Sequence, residues 1–452
     1  MMKPRSKLET DLARSQRSAK QVTRRGQIPV PKRLTEYEPG GEWSLVYAVV
    51  SRFSAEIGVC SFKAVSLVVL IFVLGYSADS ARAETITKYL DKDYGGVSRA
   101  TIAEAIEDAR KHFASSKVAG DDTYVITIPA GKFDLTFSEA ERASAQSRRG
   151  TIDISGIEPG SGGQLVISGA GMNRTSLTMD EHEVGIFGRS VYRVTFQDFE
   201  MTRAKYTVTQ GIVVSVSPGE VVLDIQPGFP SPLDIYDHDV VGRKGPGRYL
   251  REFTNSKIDP EIMDDNRQVA WRDAVQIAGF PARWQFRLKK PRLIETYQVG
   301  DLIAVKSKHG SQAYWFHTGS DITFRRVLWT DVARGVFRDM DRITISDCKI
   351  LRSPPIKGQT PALATPGGGP QIGQPDDPVT TGNLVEGLFA EGTGDDAIAC
   401  FNCADTIIKD NDIVDSFARG ILLFRSPYVQ LMNNKLVRSP LLRRAEERDP
   451  RP

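Results

Sequence analysis

Gly392-Thr-Gly-Asp-Asp-Ala-Ile398 sets two carboxylates, Asp395 and Asp396, side by side in a glycine-rich turn. Adjacent carboxylates drive each other's pKa apart, so one can stay protonated near neutrality while the other is ionised. Hydrolysis of a glycosidic bond needs that division: a protonated carboxyl for the leaving oxygen and a carboxylate as base or nucleophile. In a regular strand the pair would face opposite sides, one of them into an apolar core, a cost that a turn avoids. Gly and Asp also suit any tight corner, so a purely structural turn is the competing reading. Glu391, four residues before Asp395, is the candidate partner carboxylate, with surface charge as its default role.

The elements that must position this pair come from a repeat. Thr406-Ile-Ile-Lys-Asp-Asn-Asp-Ile-Val414 returns 23 residues later as Val429-Gln-Leu-Met-Asn-Asn-Lys-Leu-Val437. Ile322–Thr330 and Ile343–Leu351 carry the same rhythm, 21 residues apart. Short β-rich segments at such a period imply a solenoid in which each repeat is one coil. Coils stack about 4.8 Å apart, so equivalent corners form columns of side chains. The repeat puts Arg334-Gly335, Asp395-Asp396 and Arg419-Gly420 in one column, with one coil between its first two members. A second column holds Asp331, Glu391 and Ser416, with Asp415 beside it. The expected cleft wall is carboxylates flanked by Arg419 and Arg334, either of which could hold a sugar or a neighbouring carboxylate. Trp315 and Tyr314, beside His309 and His317, could offer a stacking face with a proton donor, although the spacing also suits strand packing.

Upstream, Tyr94-Gly-Gly-Val-Ser-Arg-Ala-Thr101 leads into a helix whose apolar face is Ile102, Ala105, Ile106 and Ala109. Thr101 and Glu104 have capping-box spacing. Tyr124–Leu135 then reads as strand, Pro-Ala-Gly turn and strand. The helix would plug the open end of the solenoid. Residues 204–300 break the rhythm: Gln210–Ile225 reads as a hairpin about Ser217-Pro-Gly219, inside an inserted antiparallel β module closing at Val299–Val305.

From Tyr94 to Leu135 the chain resembles the opening of the pectate-lyase-like superfamily of right-handed parallel β-helices, and the scaffold resemblance covers most of 85–440. It implies an all-β, right-handed parallel β-helix with an N-terminal capping helix and the inserted module. The insert, Gly-Asp-Leu-Ile, a His-containing segment and Gly-Asp-Asp-Ala-Ile together look like the β-helical exo-α-galactosidases. Their Asn-Val-His continuation is replaced here by Ala399-Cys-Phe-Asn-Cys403. Polygalacturonase-type hydrolases carry Gly-Asp-Asp at such a corner, which implies catalytic carboxylates at Asp395 and Asp396.

The expected organisation is a disordered or mis-annotated extension at 1–63, a signal peptide or membrane anchor at 64–83, and the first β-helix part with its helix at 84–203. The module at 204–300, the site-bearing coils at 301–440 and a charged tail at 441–452 follow. The tail reads either as the end of a truncated β-helix or as a lid that doubles back. The 452 residues carry +3 formally, but the excess is at the front: twelve Lys/Arg against six Asp/Glu through Lys63, then 47 against 50. No nucleic-acid partner is expected of a near-neutral body. The apolar run at 64–75, with Ala81-Arg-Ala83 after it, has signal-peptide length and implies a secreted, periplasmic or cell-surface protein, or membrane anchoring through that run. The upstream residues then reflect a start placed too early.

Cys348, Cys400 and Cys403 read as small apolar residues in a coil, with a Cys348–Cys400 or Cys348–Cys403 link as the alternative. Thr365-Pro-Gly-Gly-Gly-Pro-Gln371 lacks the Lys-Ser/Thr of a phosphate loop and reads as a mobile loop over the cleft, with a plain surface excursion as the alternative. Asp410-Asn-Asp412 hints at calcium, yet Asn411 and Asn434 align as a stacked asparagine ladder, so no metal site is expected. The functional expectation is a glycoside hydrolase acting on a polysaccharide or glycan without a cofactor. The alternatives are a polysaccharide lyase, often calcium-assisted and using a basic side chain such as Arg419, and a non-catalytic glycan-binding solenoid.

Overall fold

The computed structural model divides into Met1–Ser80 and Ala81–Pro452, and every described residue falls in the second unit. Described are 83–115, 122–138, 141, 150–160, 162–180, 184–235, 248–253, 269–288, 297–307, 312–332, 334–439 and 441–444. The extension at 1–63, the apolar run at 64–75, His309 and the end of the charged tail lie outside them. Among the described residues no helix is long and apolar enough to cross a membrane.

The chain is a parallel β-helix. Thr85–Tyr89 pairs in parallel with Thr123–Thr127, which pairs with Gln164–Ser168 and then with Ile186–Arg203. That long strand runs beside Tyr314–Thr330 over most of its length. Beyond it three parallel faces repeat. One is Gly335–Asp341, Pro370–Ile372, Ile398–Phe401, Ile421–Phe424 and Leu441–Arg444. The others run from Thr344–Ser346 to Gln430–Met432 and from Lys349–Leu351 to Lys435–Val437. Period-two alternation makes the middle residue of each three-residue strand on the second and third faces the inward one. Ile345, Val385 and Ile408 are accordingly fully buried, as are Ala390 and Ile413. The 23-residue echo is a register fact: Ile407 lies against Gln430 and Asp412 against Lys435.

The corner between the second and third faces turns on one residue in the left-handed region. One column is Asp198, Arg326, Asp347, Gly387, Asp410 and Asn433, with φ from 51° to 64°. Aspartate, asparagine and glycine accept this conformation best, which explains why they recur at the repeat period. Immediately after it, Asn411 Oδ1 accepts from Leu388 N (2.8 Å) and its Nδ2 donates to Asn434 Oδ1 (2.8 Å) and Val385 O (3.1 Å). Asp410 faces Asn433 and Asp412 faces Lys435, so the Asp-Asn-Asp run serves the scaffold.

The Arg99–Ser115 helix buries Ile102, Ala105, Ile106 and Ala109 against the first coils. Its cap is three residues upstream of the expected one: Ser98 Oγ accepts from Thr101 N and Thr101 Oγ1 accepts from Ser98 N. Ser98 wins because the Gly95-Gly96 turn, with φ of 75° and 137°, already ends there. Residues 208–307 contain a closed antiparallel barrel: Val208–Ser217, Glu220–Ile225, Arg283–Leu288, Val269–Gln276, Arg248–Phe253 and Leu302–Ser307 in spatial order. Its core, including Val221, Leu223, Trp271, Phe286, Ile303 and Val305, is separate from that of the β-helix. A third cluster, Val208, Ala304, Ala362, Leu363 and Phe417, glues the barrel to the corner side of the coils. The three described cysteines are free and buried. Burial pushes the Cys348 thiol up to about 12, consistent with an inert packing residue.

Candidate active site

The corner between Phe389–Glu391 and Ile398–Phe401 carries the carboxylate pair. It is a turn, with Asp396 9% exposed and Asp395 more open. Asp395 Oδ1 accepts from Asp396 N (3.2 Å), while its own carbonyl takes hydroxyl bonds from Thr393 and Ser416, both 2.9 Å. Asp396 is held from the next coil by a fork: Arg419 Nη2 donates to Oδ2 (3.1 Å) and Arg419 Nε to Oδ1. Such bidentate pairing fixes direction as well as charge.

Arg334 comes from the other side. It stands two rungs from Asp396, roughly 10 Å along the stack. The rung between them is Pro366-Gly-Gly-Gly369, and its glycines leave room for a long side chain. Arg334 Nη1 donates to Gln371 Oε1 (3.0 Å). Burial pulls the Arg334 guanidinium below its ordinary value, and the carboxylates of Asp395 and Asp396 act in the opposite direction. Arg334, Asp395, Asp396 and Arg419 therefore lie at one corner, but the register sets Arg419 against Asp396 and Arg334 in line with Gly369 and Ala397, one residue out of step with the expected column.

The glycine-rich segment corrects an expectation: it is not a loop over a cleft. Residues 361–373 are buried as one rung of the helix, and Pro370–Ile372 is a strand in it. A Cβ on Gly368 would stand 2.1 Å from Asp396 O, and one on Gly369 2.2 Å from Ala397 O. The glycines are needed for backbone to stack on backbone. Composition alone does not separate that need from flexibility.

Glu391 is not brought to the pair. Its carboxylate takes Arg352 N (3.0 Å) and Arg352 Nη1 (3.4 Å), and Arg352 Nη2 continues to Asp415 (3.3 Å). The observed second column is Asp331, Arg352, Gly392, Asp415 and Arg438, one residue out of step with the expected one. A Cβ on Gly392 would lie 2.7 Å from Arg352 Nε, so the guanidinium crosses that rung over bare backbone. Burial acts to raise the Asp415 carboxyl, but Arg438 and Arg352 outweigh it and the net displacement is downward. Ser416 belongs instead with Thr393, the two hydroxyl oxygens lying 2.8 Å apart.

Trp315 also lies elsewhere. It faces outward, half-buried, between inward-facing Tyr314 and Phe316, in a row that continues through Val336, Gln371 and Ala399. That places it three rungs, roughly 14 Å, below the acidic rung. Tyr314 is core, stacked on Phe324 with ring centroids 4.5 Å apart. Two participants escape sequence reasoning, Gln371 and Lys306. Lys306, 1% exposed, donates Nζ to Pro366 O (2.5 Å) and Gly394 O (2.7 Å). Its signal was the outward row Leu302, Ala304 and Lys306: two apolar outward positions mark a covered face. Among the described residues no group of three His, Cys, Asp or Glu is placed to hold a metal.

No protein-family model matches the chain, and no curated protein matches it in sequence. Solved structures do. The catalytic domain of a GH87 alpha-1,3-glucanase in complex with nigerose is similar at TM-score 0.36 and 10% identity, covering 80% of this chain and 46% of that one. An alginate lyase from Paenibacillus sp. is similar at TM-score 0.26 and 9% identity, covering 74% and 76%. The A-module of an Azotobacter vinelandii mannuronan C-5 epimerase is similar at TM-score 0.22 and 8% identity, covering 78% and 97%. The chain spans about half the length of the glucanase domains it matches.

Proposed function

We propose that the chain is a glycan-cleaving enzyme, a glycoside hydrolase working at the Asp395–Asp396 corner and acting outside the cytoplasm. The observation that carries this reading is the unequal treatment of two adjacent carboxylates. Asp396 is buried and clamped by Arg419, whereas Asp395 next to it is the more accessible. Oriented and charge-compensated, Asp396 suits the base or nucleophile role, and Asp395 suits proton delivery to the leaving oxygen. Its place beside the barrel–helix seam also fits, since ligand sites favour such junctions. The experiment is to incubate the protein with a panel of glycans, identify the products, and repeat with Asp395→Asn. The expected loss in kcat is about 10²–10⁴-fold. Unchanged cleavage by the Asp395→Asn, Asp396→Asn double variant would sink the reading.

Arg334 supports a second reading. In a polysaccharide lyase on an acidic sugar it would be the basic side chain of the corner, a guanidinium two rungs from the carboxylate pair and hydrogen-bonded to Gln371. Arg419 is the poorer choice, because Asp396 occupies it. An unsaturated product absorbing in the ultraviolet, with loss of turnover on calcium chelation, would favour the lyase over the hydrolase.

A further inference from the structure

The strand Leu302–Ser307 lies in the barrel beside Val208–Ser217. Ile303 and Val305 enter the barrel core, so Leu302, Ala304 and Lys306 face out, toward the β-helix. Lys306 ends this outward row, fully enclosed. Its ammonium bonds carbonyls from two adjacent rungs, Pro366 at 2.5 Å and Gly394 at 2.7 Å. The two carbonyls converge only because Gly394 has no side chain: a Cβ there would stand 2.6 Å from Thr365 O and 2.8 Å from Pro366 O. Gly394 O belongs to the peptide plane that leads into Asp395, so whatever holds that oxygen sets the direction of Asp395. An enclosed ammonium is costly unless its protons are accepted and an opposite charge is near. Here the two carbonyls accept two of its three protons, and the carboxylate pair begins one residue away.

We infer that Lys306 is a positioning residue for Asp395, supplied by the barrel, so that the acidic corner is complete only with the barrel docked. The inference rests on the reading of Asp395 as the proton-transfer group. Lys306 holds the Gly394–Asp395 peptide plane and adds a third cation to Arg334 and Arg419 around two carboxylates. The inserted barrel is thus a working part of the corner.

The test compares full-length Lys306→Met, Lys306→Gln, Lys306→Arg and Phe417→Leu with wild type on a glycan the wild type cleaves. Lys306→Met is expected to lower kcat about ten-fold or more, with KM held within about two-fold, because the peptide plane and not substrate affinity is disturbed. With a cation removed, the acid limb of the kcat/KM pH profile moves to higher pH. Amide exchange across 394–397 quickens, and Lys306→Arg recovers part of kcat. Phe417→Leu, which loosens the same seam, leaves the pH profile in place. Lys306→Gln keeps a neutral N–H donor group and serves if the methionine variant does not fold. Wild-type kcat and an unmoved pH profile in Lys306→Met, beside an inactive Asp395→Asn, overturn the inference alone. A fully active Asp395→Asn overturns the reading on which it rests.

Discussion

At the scale of single residues, Asp331 has a large consequence for pH. It ends the Tyr314–Thr330 strand, its backbone left-handed at φ 55°, and is 6% exposed. Its carboxyl accepts from Thr207 N (3.0 Å) and Thr207 Oγ1 (2.9 Å), where the chain leaves the helix for the barrel. Burial raises it to about 7; the Thr207 bonds and the nearby Arg203 pull the other way, and Tyr206 is a further titratable neighbour. An unfolded aspartate titrates near 4. Between pH 4 and 7 the unfolded state therefore binds fewer protons than the folded one, and stability falls as pH rises, levelling above 7. The drop is on the order of 4 kcal/mol from this group. Asp331→Asn keeps an acceptor for Thr207 and should flatten that part of the curve, measured by urea midpoints from pH 4 to 8. An unchanged slope would remove the assignment. The sequence ruler places Asp331 in the right column but with Glu391 for company. Its actual partner lies across the insert, about 120 residues back in the chain, where no local spacing points.

At the scale of elements, the rungs are held by backbone that has to come close and by side chains that must fill the corners. Gly368→Ala would drive a Cβ to 2.1 Å from Asp396 O, a contact that can be relieved only by separating two rungs. Overpacking of this kind costs about 1–3 kcal/mol, and here it also tilts the acidic corner. The variant should lose activity more steeply than stability, read by kcat beside the denaturation midpoint. Asn411→Ala removes three bonds of the ladder at once and leaves Leu388 N without its buried acceptor. A loss of about 2–4 kcal/mol is expected from the abandoned groups. If Asn411→Ala unfolds at the wild-type urea concentration, the ladder is not structural. These positions are legible in the sequence, because left-handed corners and the ladder beside them select aspartate and asparagine at a fixed period. The glycine rung is not legible in this way, because glycine marks both mobile loops and close backbone contact.

At the scale of the whole molecule, two apolar cores lie side by side, one in the coils and one in the barrel, joined by the small Val208–Ala304–Phe417 cluster. Lys306 and the Asp331–Thr207 bonds add polar ties across that joint. Separate cores imply separate cooperative units. Trp271 and Trp284 sit in the barrel core, so a variant with the other three tryptophans changed to phenylalanine reports on the barrel alone. Its fluorescence transition in urea should precede the loss of β-sheet circular dichroism. Coincident transitions would mean that the seam couples the two units into one. The division into coils plus insert is visible as a break in a 20-odd-residue rhythm. Closure of the insert into a barrel is not, since pairing its first and last strands is a long-range event.

By itself the sequence determined the solenoid, the direction of its core residues and, to within one residue of register, the corner at which Arg334, Asp395, Asp396 and Arg419 lie. Each of these follows from a period, and a period is local information that survives without coordinates. Only the tertiary structure decided which partners those charges take. It gave Arg419 to Asp396 and sent Glu391 to Arg352 through a one-residue shift at the corner. It also turned a glycine run into a buried rung and carried Lys306 from the barrel to the peptide before Asp395. Such contacts depend on how much room the intervening rung leaves and on where an insert folds back, and neither is written in the spacing of the residues concerned.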